Sequence, residues 1–168
     1  MDNIEIVTLQ PDQWQEYKKL RLEALKGEPQ AYGSSYKDNL KLPDETWKQL
    51  LEDSLKGESQ WYLFAKHRNN LVGMVGAFVK ENNIAQVIAV YVTKEMRGQG
   101  IAKQLMDDLI SKIAQNKSIK KLSVGVNPIQ SAALNLYQSL GFTIVKKEKT
   151  VLGDGKEYEV YELEKDIN

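Results

Sequence analysis

The 168-residue chain contains no cysteine. That absence excludes disulfide bonds, a thiolate nucleophile, cysteine-ligated zinc and iron–sulfur clusters. Histidine is almost as scarce: His67 stands alone and cannot supply a multi-histidine metal site. Lys and Arg total 23 and so do Asp and Glu, which leaves zero formal charge. No global field therefore draws the chain to nucleic acid or to an anionic membrane surface. No apolar run approaches the roughly 20 residues of a membrane-spanning helix. The opening MDNIEIVTLQ lacks the basic start and apolar stretch of a secretory leader. These absences predict a soluble, cytoplasmic protein with no bound metal, no nucleic-acid partner and no membrane partner. Hydrophobic residues at 42% and charged residues at 27% exclude wholesale disorder, and this length can bury about 70% of the unfolded surface. One domain over residues 1–168 is the expected organisation.

Apolar periodicity then sets the element order. Asn3 to Leu9 alternates and predicts a strand. Asp12 and Gln15 follow the spacing of a capping box, and Trp14, Tyr17, Leu20 and Ala24 recur at near-helical intervals, which predicts a helix over 12–25. Pro43 and Asp44 open a second helix carrying Trp47, Leu50, Leu51 and Leu55, closed by Gly57. Trp61 to Lys66, Leu71 to Val79 and Ile84 to Val92 are rich in β-branched and aromatic residues. The turns His67–Asn70 and Asn82-Asn83 separate them, so they read as an antiparallel meander. Ile88 to Val92 is apolar on both faces and belongs at the centre of a sheet. Ile101, Leu105, Leu109 and Ile113 define an amphipathic helix. A strand at Leu122–Val126, a short helix carrying Ala133, Leu136, Tyr137 and Leu140, and a hairpin around Gly153-Asp154-Gly155 complete the chain. The fold class is α+β: a mixed, mostly antiparallel sheet of six to seven strands with helices on both faces.

Chemistry concentrates between Val92 and Lys103. Gly98, Gly100 and Ala102 remove side-chain bulk where a buried strand turns into the amphipathic helix. The first amides of that helix have no intrahelical partner and carry the positive end of its dipole. A diphosphate could accept hydrogen bonds from them, with Arg97 and Lys103 adding charge. Two glycines can equally make a plain tight turn, and these residues alone leave both readings open. Lys103 occupies the position where a dinucleotide fingerprint needs Gly or Ala, and no G-x-x-x-x-G-K-[ST] run exists, which argues against Rossmann and P-loop binding.

Arg97-Gly98-Gln99-Gly100-Ile101-Ala102 fits R/Q-x-x-G-x-G/A, and on that motif the chain resembles the GNAT N-acetyltransferases. Leu122 to Asn127 looks like the family's fifth strand. Ala133 to Phe142 looks like its L-Y-x-x-x-G-F helix. The resemblance runs from about Trp61 to Leu163, the expected acetyl-CoA-binding core, and residues 1–60 fit the family's variable substrate-side helices. It implies transfer of the acetyl group of acetyl-CoA directly to a primary amine of a small molecule or peptide. The implied cofactor-binding residues are Val90, Tyr91 and Val92 on the strand, Arg97, Gly98, Gln99, Gly100, Ile101, Ala102 and Lys103 in the turn, then Asn127 and Tyr137. Tyr137 matches the family tyrosine that protonates the departing thiolate, so it is the implied catalytic residue. Asn127 reads either as a contact for the pantetheine arm or substrate, or as a helix cap before Pro128. Gln130 stands where the family often carries Asn.

The general base and the substrate are less defined. Ile84 to Val92 holds no carboxylate, and Gln86 is its polar side chain. Glu81, Glu28, Asp44 and Glu45 are the acidic candidates. Trp14, Tyr17, Tyr32, Tyr36 and Trp47 could line an amine cleft beside Glu28, Asp38, Asp44 or Glu45, or anchor their helices in the core. Ala31 to Tyr36 is the preferred substrate loop. Lys146 to Lys149 reads as an exposed strand face. A non-catalytic acyl-CoA-binding module of the same fold is the alternative function. A homodimer through a strand edge or the C-terminal hairpin is compatible with this element order, which does not decide it.

Overall fold

Seven strands hydrogen-bond into one mixed sheet in the order β1-β2-β3-β4-β5-β7-β6. They are β1 Glu5–Val7, β2 Gln60–His67, β3 Asn70–Glu81, β4 Ile84–Val92, β5 Lys121–Val126, β6 Thr143–Val151 and β7 Glu157–Asp166. The structure is a computed structural model and describes residues 3–168. The leader reading of the opening segment falls partly on Met1 and Asp2, outside the described residues. Every pairing is antiparallel except that of β4 with β5. The meander expected from 61–92 is present, and its turns carry Arg68, Asn69, Asn82 and Asn83 at positive φ, the conformation that tight two-residue hairpins require.

The helices are α1 Trp14–Gly27, α2 Tyr36–Leu40, α3 Asp44–Lys56, α4 Ile101–Ala114 and α5 Ser131–Ser139. Alternation along β2 divides the core in two. Trp61, Leu63 and Ala65 join Ile101, Leu105, Leu109 and Ile113 of α4 on one face. Tyr62 and Phe64 join Tyr17, Leu20 and Ala24 of α1 and Trp47 and Leu51 of α3 on the other. Two local details differ from the sequence reading. Gln13 Oε1 accepts the Gln10 N–H at 2.8 Å, so the cap interaction lies two residues before the Asp12–Gln15 pair. Pro11 opens a 3-10 turn ahead of α1, a position that suits a residue without an N–H. The segment expected as a polar loop, Ala31 to Tyr36, ends in α2, whose N-cap Ser35 accepts the Asp38 N–H at 3.1 Å.

Trp47 is 1% exposed and packs edge-on against Tyr17 with centroids 5.1 Å apart. It is therefore a core anchor, and its buried Nε1–H has no acceptor. Trp47→Ala is expected to lower stability by about 3–5 kcal/mol through lost burial and a cavity. Trp47→Phe, which keeps an aromatic ring and removes the unpaired donor, should cost much less. Urea unfolding of both variants measures the difference. No helix among the described residues is long and apolar enough to cross a membrane.

Candidate active site

The one parallel contact opens the site. β4 and β5 pair from Ile84↔Lys121 to Val87↔Val124 and no further. Beyond Val87, β5 stays fixed to β7 as far as Val126↔Tyr161, while β4 turns away at a bulge. On β3, Val75 alone faces both Ala89 and Val90 of β4, between Met74↔Tyr91 and Gly76↔Ile88. Ala89 has φ 58°, a left-handed backbone that costs a β-carbon-bearing residue on the order of 1–2 kcal/mol. The strands therefore splay, and the edge of β4 beyond Ile88 is free of a strand partner on that side.

A cavity of about 520 Å³ fills this wedge, lined by Arg21, Tyr32, Ala89, Val90, Asn127 and Tyr137 among others. The β6–β7 hairpin walls it with Thr150, Leu152 and Val160, and is tied down where Gly153 N–H donates to Tyr32 O at 2.8 Å. A Cβ at Gly153 would press on the carbonyl oxygens of Ser34, Pro29 and Tyr32, so only glycine lets the hairpin lie this close. A second cavity of about 340 Å³ continues over the α4 turn and shares Glu28, Val90, Gln130 and Ala133 with the first. The two adjoining cavities, together the channel, extend from the β6–β7 hairpin to the N-terminus of α4.

Gly98 and Gly100 have φ 77° and 80°, a region that favours glycine. Nothing lies within 4 Å of where their Cβ atoms would be, so the first amides of α4 face open space. That cradle can accept an anion. Arg97, Ala102 and Lys103 line it with Val90, Tyr91 and Val92. Ile101 also borders it but is 2% exposed and anchors α4 in the core. Gln99 is exposed in the turn and outside the lining. Lys103 is held by Asp107 at 2.7 Å one turn on.

Arg97 does more than add charge. Its Nε donates to Val92 O at 2.9 Å, its Nη2 pairs with Glu28 Oε1 at 2.7 Å, and its guanidinium lies 5.7 Å from the Tyr91 ring centroid. It bolts the end of β4 to the segment after α1. Tyr32 Oη donates to Val90 O at 2.9 Å. In a strand the N–H and C=O of one residue point to the same side, so the Val90 and Val92 carbonyls mark β4's open edge. Tyr91 instead donates its hydroxyl to Glu23 Oε2 at 2.9 Å, and burial followed by that bond pushes its pKa well up.

Tyr137 is 4% exposed, and desolvation alone pushes its phenol far above the usual range. Its place is set by the C-terminus of α5. Gly141 at φ 93° turns the chain so that Phe142 N–H donates to Tyr137 O at 3.0 Å, and the two rings meet edge-on with centroids 6.1 Å apart. Asn127 is buried, but both ends of its amide are used: Nδ2 donates to Gln30 O at 3.0 Å and Oδ1 accepts the Ile129 N–H at 3.2 Å. It closes the turn ahead of α5, whose N-cap residue is Gln130, so the reading of Asn127 and Pro128 as direct helix cap and first helical residue is corrected. Gln130 lines both cavities.

Of the acidic candidates, Glu28 alone borders the channel. Asp44 pairs with Lys18 at 3.8 Å and Glu45 with Lys48 at 3.1 Å, while Glu81 ends β3 opposite Ile84. Gln86 Oε1 accepts the Ser123 hydroxyl at 2.7 Å. Of the five candidate aromatics, Tyr32 lines the cavity, whereas Tyr17 and Trp47 are core, Trp14 lies beneath Lys18 and Lys48, and Tyr36 lies beneath Lys26. Lys146 pairs with Glu148 on the exposed β6. Sequence reasoning missed Arg21, although a cation one turn from Tyr17 and beside Leu20, on the apolar face of α1, was a visible signal. Among the described residues no group of three or more His, Asp and Glu could hold a metal ion.

The fold recurs in solved structures. An acetyltransferase of the GNAT family from Streptococcus pneumoniae superposes with TM-score 0.85 at 21% identity, covering 98% of this chain and 100% of that one. The yncA structure from Salmonella typhimurium, which holds acetyl-CoA, gives TM-score 0.82 at 14% identity over 99% and 95% of the two chains. In sequence, N-alpha-acetyltransferase daf-31 of Caenorhabditis elegans is 29% identical over 111 residues, 63% of this chain and 60% of that protein. Human N-acetyltransferase 8 is 33% identical over 95 residues, 53% of this chain and 40% of that protein. The chain thus spans less than two thirds of the length of these relatives. The family model described as Acetyltransferase (GNAT) family matches residues 14–142, and the chain belongs to that family.

Proposed function

We propose that the protein transfers the acetyl group of acetyl-CoA directly to a primary amine. The observation that carries this reading is the pair of adjoining cavities that link an amide cradle at α4 to a buried phenol at the β4–β5 splay. The cradle fits a diphosphate: its amides are unshielded, and Gly98 and Gly100 leave the space over them open. Acetyl-CoA in relatives such as the Salmonella structure agrees with that fit. When bound, it supplies an activated thioester carbonyl.

The chain's own groups then divide the work. Amides of the 97–102 turn hold the diphosphate, and Arg97 keeps that turn in register with β4. The open edge of β4 around Val90 and Val92 offers backbone N–H groups to a developing oxyanion, a donor type whose loss costs other acyl-transfer enzymes roughly 3 kcal/mol. Tyr137 holds a proton at Oη and gives it to the leaving thiolate, and the proton that the amine nitrogen sheds as the C–S bond breaks and the amide forms restores the phenol. Residues 1–60 supply the acceptor side through Arg21, Glu28 and Tyr32, and residues 61–163 the acetyl-CoA side. The two carboxylates that line the cavity, Glu28 and Glu148, are each ion-paired. The amine's own ionisation should therefore govern the pH dependence, with kcat/KM rising up to the amine's pKa. Burial holds the Tyr137 proton in place throughout pH 6–10, so no fall from phenol ionisation is expected below about pH 10.

The same burial has a consequence for stability. The folded pKa values of Tyr17, Tyr32, Tyr62 and Tyr137 are raised, desolvation being the largest cause in each. Below the unfolded value of about 10 both states keep these protons; above it the unfolded chain loses them first. Stability should therefore hold to about pH 10 and fall beyond it. Urea midpoints measured from pH 7 to 11 test this.

The defining experiment incubates the protein with acetyl-CoA and polyamines, amino acids, aminoglycosides and peptide N-termini, and detects N-acetylated product by mass. Product from any class supports the reading. The absence of β4 carboxylates favours one alternative, an acyl-CoA-binding module. It predicts calorimetric acetyl-CoA binding with no product from the panel or from a cell extract.

A further inference from the structure

We infer that Arg21 makes the cavity selective for amines that also carry a carboxylate. This rests on the acetyl-transfer reading and names the substrate class of the same site. Arg21 lies on α1, is 9% exposed, and lines the cavity at the β4–β5 splay. Its Nη1 is buried without a hydrogen-bond partner. Its guanidinium stacks 5.1 Å from the Tyr32 ring centroid, and Tyr32 in turn is fixed to Val90 O.

A buried cation without a counter-charge is expensive, and aromatic faces compensate only in part. No described carboxylate fills the role. Glu28 in the same cavity is taken by Arg97 at 2.7 Å, Glu23 accepts from Tyr91, and Glu148 on the rim pairs with Lys146 at 3.0 Å. An entering carboxylate would pair with the guanidinium's planar fork, the geometry that gives arginine its preference for such anions. Tyr32 sets the direction of that fork and couples it to the strand edge where transfer is placed. The carboxylate can come from a free amino acid or from an acidic first residue of a peptide.

Rates of acetylation separate these cases. Leucine and glutamine are each compared with their α-amides, and tetrapeptides beginning with Asp with those beginning with Asn. Expressed per unprotonated amine, kcat/KM for the acid of one pair should exceed that of its neutral partner by about 100-fold, the scale of a site left with an unpaired buried donor. The amino-acid pairs identify a free α-carboxylate; the peptide pair identifies an acidic N-terminus. Arg21→Met, which keeps the stem's packing, should shrink that ratio to a few-fold, whereas a purely structural role would lower both rates in parallel. Arg21→Gln serves if the methionine variant does not fold. Equal wild-type rates on every acid and neutral partner, or a ratio that survives in the variants, would overturn the inference while leaving acetyl transfer intact. If no amine is acetylated, the transfer reading fails instead. The carboxylate site is then read by calorimetry with CoA present. N-acetylleucine binding that is weakened by Arg21→Met and absent for N-acetylleucinamide supports it; no binding refutes it.

Discussion

Tyr137→Phe is expected to lower kcat roughly 10- to 1000-fold, the range of general acid–base contributions, with little change in acetyl-CoA affinity. Three observations make the test clean. The phenol is buried at 4% exposure yet lines the channel. Desolvation keeps it protonated, and a thiolate generated in the same dry site is destabilised by the same cause, so the phenol can hydrogen-bond to it and protonate it. Its ring, edge-on to Phe142, is retained in phenylalanine, so the variant should fold. Steady-state kinetics and calorimetry on one preparation separate kcat from binding. An unchanged kcat would make Tyr137 a packing residue and remove proton donation from the account.

Gly100→Asp should weaken acetyl-CoA binding by at least about 100-fold, the loss expected when a fixed anion displaces a charge-assisted diphosphate site. Gly100 is the N-cap residue of α4 at φ 80°. Aspartate tolerates the left-handed region better than most residues, and a negative charge at a helix N-terminus is favourable. The helix should therefore survive, with melting close to wild type, while the carboxylate occupies the open space over the amides. Gly100→Ala adds strain without charge and should cost far less affinity. Calorimetric titration reads both. Acetyl-CoA binding within a few-fold of wild type in the aspartate variant would move the diphosphate away from this cradle.

Much of this arrangement was legible in the sequence because its signals are local. Ile84 to Val92 named its own strand, apolar on both faces, and β4 lies fourth of seven. The period of Ile101, Leu105, Leu109 and Ile113 placed α4 within a residue of its observed end. Gly98 and Gly100 marked the turn, and Tyr137 with Gly141-Phe142 marked the helix that carries the phenol. What stayed hidden depends on contacts between distant segments. No pattern in Ile88-Ala89-Val90 announces a bulge, since alanine is a poor choice for φ 58° and only the surrounding sheet imposes it. Arg97 read as a charge beside the anion site, and its ties to Glu28 and Val92 O went unseen because they arise from tertiary structure. Asn127 read as a cap or a ligand; its link to Gln30 O spans 97 residues. The β6–β7 hairpin was expected as an element, but not as a wall of the cavity, because that role rests on the Gly153–Tyr32 hydrogen bond.

The central claim is direct transfer from acetyl-CoA to an amine within one channel. A single-turnover rapid-quench experiment with acetyl-labelled CoA and an accepted amine tests it. Label should pass to the amine one-for-one with thiol release, with none retained on the protein at any time. Label held on the protein before product appears, or thiol release without acetylated amine, would contradict it.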